Sequence, residues 1–159
     1  MSDKDLQRVT KCVSDIGQAV PRRRALHARR HHITQKMKIA GQCTLYLSIH
    51  DDTRPAEIFL RVKGSDCSSD LIGLYLIGLY DVIARLMSLA LQSGAPLEKL
   101  GDLLAGAKFA PCGPVSGHDR LKQCSSLPDL IGRHLLVEYC GREELAHVPL
   151  SQSEEDGQV

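Results

Sequence analysis

The residues in this sequence best suited to meet a ligand are cations. Arg22, Arg23, Arg24, Arg29, Arg30, Lys36 and Lys38 run close together with His27, His31 and His32, and no acidic residue occurs between Ile16 and His50. Such a block either forms the electrostatic footprint that phosphates need or remains a solvated basic linker. Positive charge alone carries no base specificity. A second anion candidate is the start of the last helix at Ser125-Ser126, where free backbone N–H groups favour phosphate. Asp129 opposes an anion there, and helix capping accounts for the same serines. The phosphate-binding candidates are therefore Arg22, Arg23, Arg24, Arg29, Arg30, Lys36, Ser125 and Ser126.

Catalytic constellations are thin. His31 and His32 are adjacent, so on a strand their rings point to opposite faces. Cys112 and His118 share a loop, but a zinc site takes about four ligands at defined spacing and the set does not assemble. Neither a P-loop nor G-x-G-x-x-G is present. The six cysteines include no C-x-x-C pair, and Ser2 to Arg8 is too polar for a cleavable signal. Free thiols in a reducing cytoplasm (a host cytoplasm, were the chain viral) are the expectation. No catalytic residue, metal or cofactor is expected, and nothing points positively to an enzyme. The formal net charge of +1 argues neither for nor against nucleic acid.

The elements that must position these residues follow from periodicity. Leu6, Val9, Val13, Ile16 and Val20 recur at 3–4 spacing and predict an amphipathic helix over 1–21, ended by Pro21. It would pack on its own domain or dock a partner chain. Three runs of period-two alternation then predict an antiparallel meander with one buried face. Ile33, Gln35, Met37 and Ile39 share a face of the first strand, Leu45, Leu47 and Ile49 of the second, and Ile58, Leu60 and Val62 of the third.

A long helix begins near Asp70. Its Leu71–Leu91 stretch has a membrane span's length, but Asp81 and Arg85 sit inside at i,i+4, and an all-round apolar helix fits the centre of a soluble fold. No membrane is expected. Within it, Leu-Ile-Gly-Leu-Tyr occurs twice in succession, at 71–75 and 76–80. Five residues turn a helix by about 500°, so the copies face directions about 140° apart. Exposed apolar surface there would favour self-association, with Tyr75 and Tyr80 as candidates alongside Leu6, Val9 and Val13. Gly94 ends this helix, Pro96 starts another, and Lys108–Lys122 reads as loop. Ser125 or Ser126 caps a last helix that Gly141 stops. The prediction is an α+β domain over 22–148, with three antiparallel strands followed by three helices, and an acidic, disordered tail over 149–159.

Several strings in this order resemble the TSCPD family, the small C-terminal domain of adenosylcobalamin-dependent ribonucleotide reductases. They are Arg29-Arg30-His31-His32-Ile33-Thr34-Gln35-Lys36, Ile39-Ala40-Gly41 and Arg54-Pro55-Ala56-Glu57-Ile58-Phe59, then Ser88 to Leu97, Phe109-Ala110-Pro111-Cys112-Gly113 and Ser125 to Ile131. The departures are specific. Leu127 stands where the family's name motif has cysteine, Thr53-Arg54 replaces glycine in a turn, and the Cys-x-x-Cys tail is absent. A chain of 159 residues cannot hold the reductase barrel. The resemblance therefore implies a non-catalytic module binding a nucleotide or nucleic-acid phosphate. Two alternatives stand beside it: a phage-type interaction protein that blocks a host factor or sequesters a signalling nucleotide, and a split subunit completing a separately encoded reductase. A homodimer or higher homo-oligomer is expected, with the N-terminal helix as a possible partner surface.

Overall fold

The computed structural model describes residues 22–64 and 71–149. The expected N-terminal helix with Leu6, Val9 and Val13, and the acidic tail from Ser151, lie outside the described residues. Strands β1 (His32–Ile39), β2 (Cys43–His50) and β3 (Ile58–Gly64) form the expected meander, in register Lys36↔Tyr46↔Arg61 across all three. Helix α1 (Leu71–Gln92) and helix α2 (Leu97–Leu104) follow, then β4 (Gly113–Ser116), β5 (Gln123–Cys124) and helix α3 (Leu127–Cys140). The sheet order is β3-β2-β1-β4-β5. The stretch expected to be loop thus contributes two strands, β4 pairing with β1 through Ile39↔Val115. At four residues and two, they are too short to show alternation.

One face of the sheet carries the core. Met37, Ile39, Leu45, Leu47, Ile49, Ile58 and Val62 are buried there against α1 and α3. Ile33, expected on that face, is 52% exposed because the covered part of β1 begins further along, at Met37. Ser88 of α1 serves the edge of β3: its hydroxyl accepts from the Ile58 N–H and lies within reach of the Ile58 carbonyl. Gln92 donates to the Ala56 carbonyl at 3.0 Å.

Helix α1 is a surface helix, not an enclosed one. Tyr80, Ala84, Met87 and Leu91 face the core, whereas Tyr75, Leu79, Val82, Leu86 and Leu89 are exposed. The two tyrosines of the repeat diverge as helical geometry requires, Tyr75 at 66% exposure and Tyr80 at 8%. Tyr80 is therefore a core residue and is withdrawn as a partner surface. Tyr75–Gln92 is long and apolar enough to cross a membrane by length and composition, but its inner face forms part of the domain core.

Helices α2 and α3 cross closely because two glycines meet. A Cβ on Gly132 would sit 2.5 Å from the Ala105 nitrogen and 2.7 Å from the Gly101 carbonyl oxygen, while the space around Gly78 in α1 is open. Gly132→Ala should therefore lower stability by about 1–3 kcal/mol through overpacking. Gly78→Ala should raise it by roughly 0.5–1 kcal/mol through helix propensity. Urea unfolding of the two variants checks the opposite signs.

Candidate functional site

The predicted anion site at the start of α3 is already occupied by the protein itself. Ser126 is fully buried; its hydroxyl accepts from the Asp129 N–H at 3.1 Å and donates to the Ala107 carbonyl at 2.8 Å. The Asp129 carboxylate, also without exposed surface, accepts from the Gly106 N–H at 2.7 Å, the Ser125 N–H at 2.8 Å and Arg133 Nε at 2.9 Å. Burial pushes this carboxyl up, but those three donors outweigh it and hold Asp129 below the usual carboxylate range. The structure makes Ser126 the cap of α3 and gives the Ser125 N–H to Asp129.

The cationic candidates do not converge on that end. The Arg24 N–H donates to the Gln92 carbonyl at 2.8 Å, and Arg24 lines a cleft of about 470 Å³ with Arg54, Gly94, Pro96, Tyr139 and Cys140. Tyr139 and Cys140 end α3, so this cleft and Ser126 lie a helix length apart, roughly 21 Å. Arg24 is paired with Asp52, and Arg23 donates to Gln92 at 2.6 Å. Arg30 grips both oxygens of Glu57, which also takes His32 at 3.1 Å. The Arg30 hydrogen bonds hold Glu57 below its ordinary range. Arg22 and Arg29 are exposed. The Cys140 thiol in the cleft is pushed up by burial and by Glu98 and Asp102, the wrong direction for a nucleophile.

Lys36 is the candidate that finds company. Directly opposite residues in a sheet share a face, and the register places three rows on the uncovered side: Lys38, Thr44 and Lys63; Lys36, Tyr46 and Arg61; Thr34, Ser48 and Phe59. Four of these nine are cations and none is a carboxylate. Lys36 Nζ and Lys63 Nζ lie 5.8 and 5.9 Å from the centre of the Tyr46 ring. Phe59 is half exposed, and a shallow groove of about 450 Å³ runs past Tyr46, Ser48, Phe59, Arg61 and Lys63. Elsewhere Arg24, Arg30, Arg85, Arg120, Arg133 and Arg142 are neutralised by carboxylates. Among the described residues the four cations of the sheet face have no ion pair. Tyr46, Phe59, Arg61 and Lys63 were not singled out from sequence; reading each strand's polar side across the register would have collected them.

A family model for the TSCPD domain matches residues 16–139. The chain belongs to the TSCPD domain family. It is 35% identical over 130 residues to a vitamin B12-dependent ribonucleotide reductase of Bradyrhizobium diazoefficiens, covering 80% of this chain and 10% of that one. An enzyme of the same description from Agrobacterium fabrum is 35% identical over 131 residues, covering 81% and 10%. One from Rhodopirellula baltica is 30% identical over 120 residues, covering 75% and 11%. The chain therefore spans about a tenth of the length of these relatives. No solved structure matches it. Two TSCPD-like strings, Arg54-Pro55 and Gly94 to Leu97, meet in the cleft beside Arg24. Leu127 of the name motif is buried in the core.

The remaining titratable cluster is structural. His118 Nδ1 accepts from the N–H groups of Arg120 and Leu121 at 3.1 and 3.0 Å, so its proton sits on Nε2, which donates to His134 Nδ1 at 3.0 Å. Burial lowers His118 to about 4 and His134 to about 3. Both rings are thus neutral in the fold, while the unfolded chain takes up protons below pH about 6.5. Stability from this pair is present above that pH and is lost as pH falls, with a slope of up to about 1.4 kcal/mol per pH unit per ring. Two imidazoles that stay neutral down to pH 5 by NMR, with the urea midpoint falling from pH 7 to 5, are the expected result.

Proposed function

We propose that this TSCPD domain is a non-catalytic binding module for phosphate-bearing ligands, nucleotides or nucleic acid, related to an accessory domain of the B12-dependent reductases. The observation that carries the reading is the sheet face, where Lys36, Lys38, Arg61 and Lys63 surround Tyr46 without a neighbouring carboxylate. Four like charges left unneutralised on one rigid surface raise the local anion concentration and cost stability unless a partner offsets them. The relatives are named for acting on ribonucleotides, which makes nucleotide phosphate the natural anion. Support for the non-catalytic part is the state of the candidate groups: Cys124 and Cys140 are pushed up by burial, and His118 and His134 are held neutral inside.

A second reading concerns assembly and rests on α1. Tyr75, Leu79, Val82, Leu86 and Leu89 recur at 4-3-4-3 spacing, the a/d seam of paired helices, and all five are exposed. We infer a homodimer through this stripe. Asp81 and Arg85 lie beside it with opposite signs, so two copies packed antiparallel would bring each Asp81 toward the partner copy's arginine, whereas parallel packing would oppose like charges.

Calorimetric titration with nucleoside mono-, di- and triphosphates and short DNA should show binding that weakens as salt rises. Lys36→Gln with Lys63→Gln should weaken it further, while Arg24→Gln should leave it unchanged. Silence from every ligand refutes the binding reading. Light scattering should give twice 17.5 kDa, and Leu79→Glu with Leu86→Glu should return it to one chain; a wild-type monomer refutes the dimer.

A further inference from the structure

We propose that the outer sheet face takes single-stranded nucleic acid, with one base stacked on Tyr46 and a neighbouring base on Phe59. This rests on the phosphate-binding reading of the same face and commits it to a polymer in one strandedness. The two rings come from adjacent strands and adjacent rows, since Tyr46 pairs with Arg61 and Ser48 with Phe59. Diagonal neighbours of this kind are about 7–8 Å apart. That spacing is about twice the 3.4 Å rise between stacked bases within a duplex strand, so the two platforms suit splayed bases. Splayed bases stacking on aromatic side chains are the mode by which sheets read single strands.

The cations are placed for the rest of the strand. Lys36 and Lys38 border the aromatic pair from β1, and Arg61 and Lys63 border it from β3, so backbone phosphates on either side meet a charge. Both lysines near the Tyr46 ring stand on flexible stems and can swing outward to phosphate, freeing the ring for a base. The hydroxyls of Thr34 and Ser48, 2.7 Å apart on the same face, offer donors and acceptors to base edges. The shape argues against a duplex. Among the described residues this face is a shallow groove on an open sheet and presents no helix or projecting ribbon of the width that enters a major groove. Phe59, second in β3, lies beside the His32 ring with centroids 5.3 Å apart, and its remaining half, open to water, offers a stacking platform.

The test is fluorescence anisotropy on the full chain with a labelled twelve-nucleotide single strand of DNA, the same in RNA, and a hairpin duplex. Unlabelled ATP and the unlabelled oligonucleotide serve as competitors. Expected are single-strand binding at least about tenfold tighter than duplex, and competition by the oligonucleotide far below the ATP concentration that competes. Tyr46→Ala should weaken single-strand binding by about fivefold or more, with Tyr46→Phe near wild type, since stacking needs the ring and not the hydroxyl. Lys36→Gln with Lys63→Gln should reduce the slope of log affinity against log salt by about 1.4. Circular dichroism establishes that each variant is folded. Equal affinity for duplex and single strand, or a folded Tyr46→Ala that binds like wild type, overturns this inference while leaving phosphate binding intact. ATP competing as well as the oligonucleotide also overturns it, in favour of a mononucleotide site. No binding to any probe removes the underlying reading as well.

Discussion

The Asp129 carboxylate joins parts of the domain that sequence separates. It ties the end of α2 through the Gly106 N–H, the end of β5 through the Ser125 N–H, and its own helix through Arg133. With Ser126 reaching the Ala107 carbonyl, the start of α3 is bolted to the segment that leaves α2. A buried carboxylate is tolerable only because its oxygens are met by three donors; losing one would leave charge uncompensated in the interior. The same arrangement sets the register of α3 over the sheet. Leu130, Ile131 and Leu135 then fall on the core, and the Gly132–Gly101 crossing becomes possible. It also consumes the helix's anion-binding capacity internally, which is why the phosphate site expected there is closed.

Once α1 and α3 are fixed to one face of the sheet, the character of the other face follows. Each inward Leu, Ile or Met on β1–β3 is flanked by residues that must point outward, and no element among the described residues covers them. Polarity alone would satisfy solvent. What the sequence supplies is more particular: four cations and two rings in three rows, in a protein that pairs six other arginines with carboxylates. The contrast is internal to the molecule. On the sheet face the cations stand together in adjacent rows with no acid among them.

How much of this was legible in the residues divides along local and non-local lines. The meander, the Gly94 and Gly141 stops and the Ser126 cap were readable because alternation, positive φ and capping are properties of a few consecutive residues. β4 and β5 were not, since strands of four and two residues exist only through pairing with a distant partner. The exposure of α1 was hidden by its own composition: a helix apolar on both sides reads as enclosed, and only tertiary packing shows that Tyr80 goes in while Tyr75 stays out. The candidate site shows the same division. A linear run of charge drew attention to Arg22–Lys36, yet three of its six arginines and lysines, Arg23, Arg24 and Arg30, are spent on Gln92, Asp52 and Glu57. Lys36 gained its neighbours Tyr46, Arg61 and Lys63 across strands, where linear charge counting does not look.

The two exposed surfaces are compatible because they point apart. The inner side of α1, through Tyr80, Ala84, Met87 and Leu91, lies on the core face of the sheet, so its 75-79-82-86-89 stripe looks away from the sheet altogether. Two copies joined along that stripe would present their basic sheet faces on opposite outer sides of the pair. A ligand small enough to occupy one face would then bind each copy independently. A longer strand able to pass around the assembly would engage both, and the second contact would be intramolecular, raising avidity without a new interaction. The proposed dimer and the proposed strand binding would thus be linked by geometry even though no residue serves both.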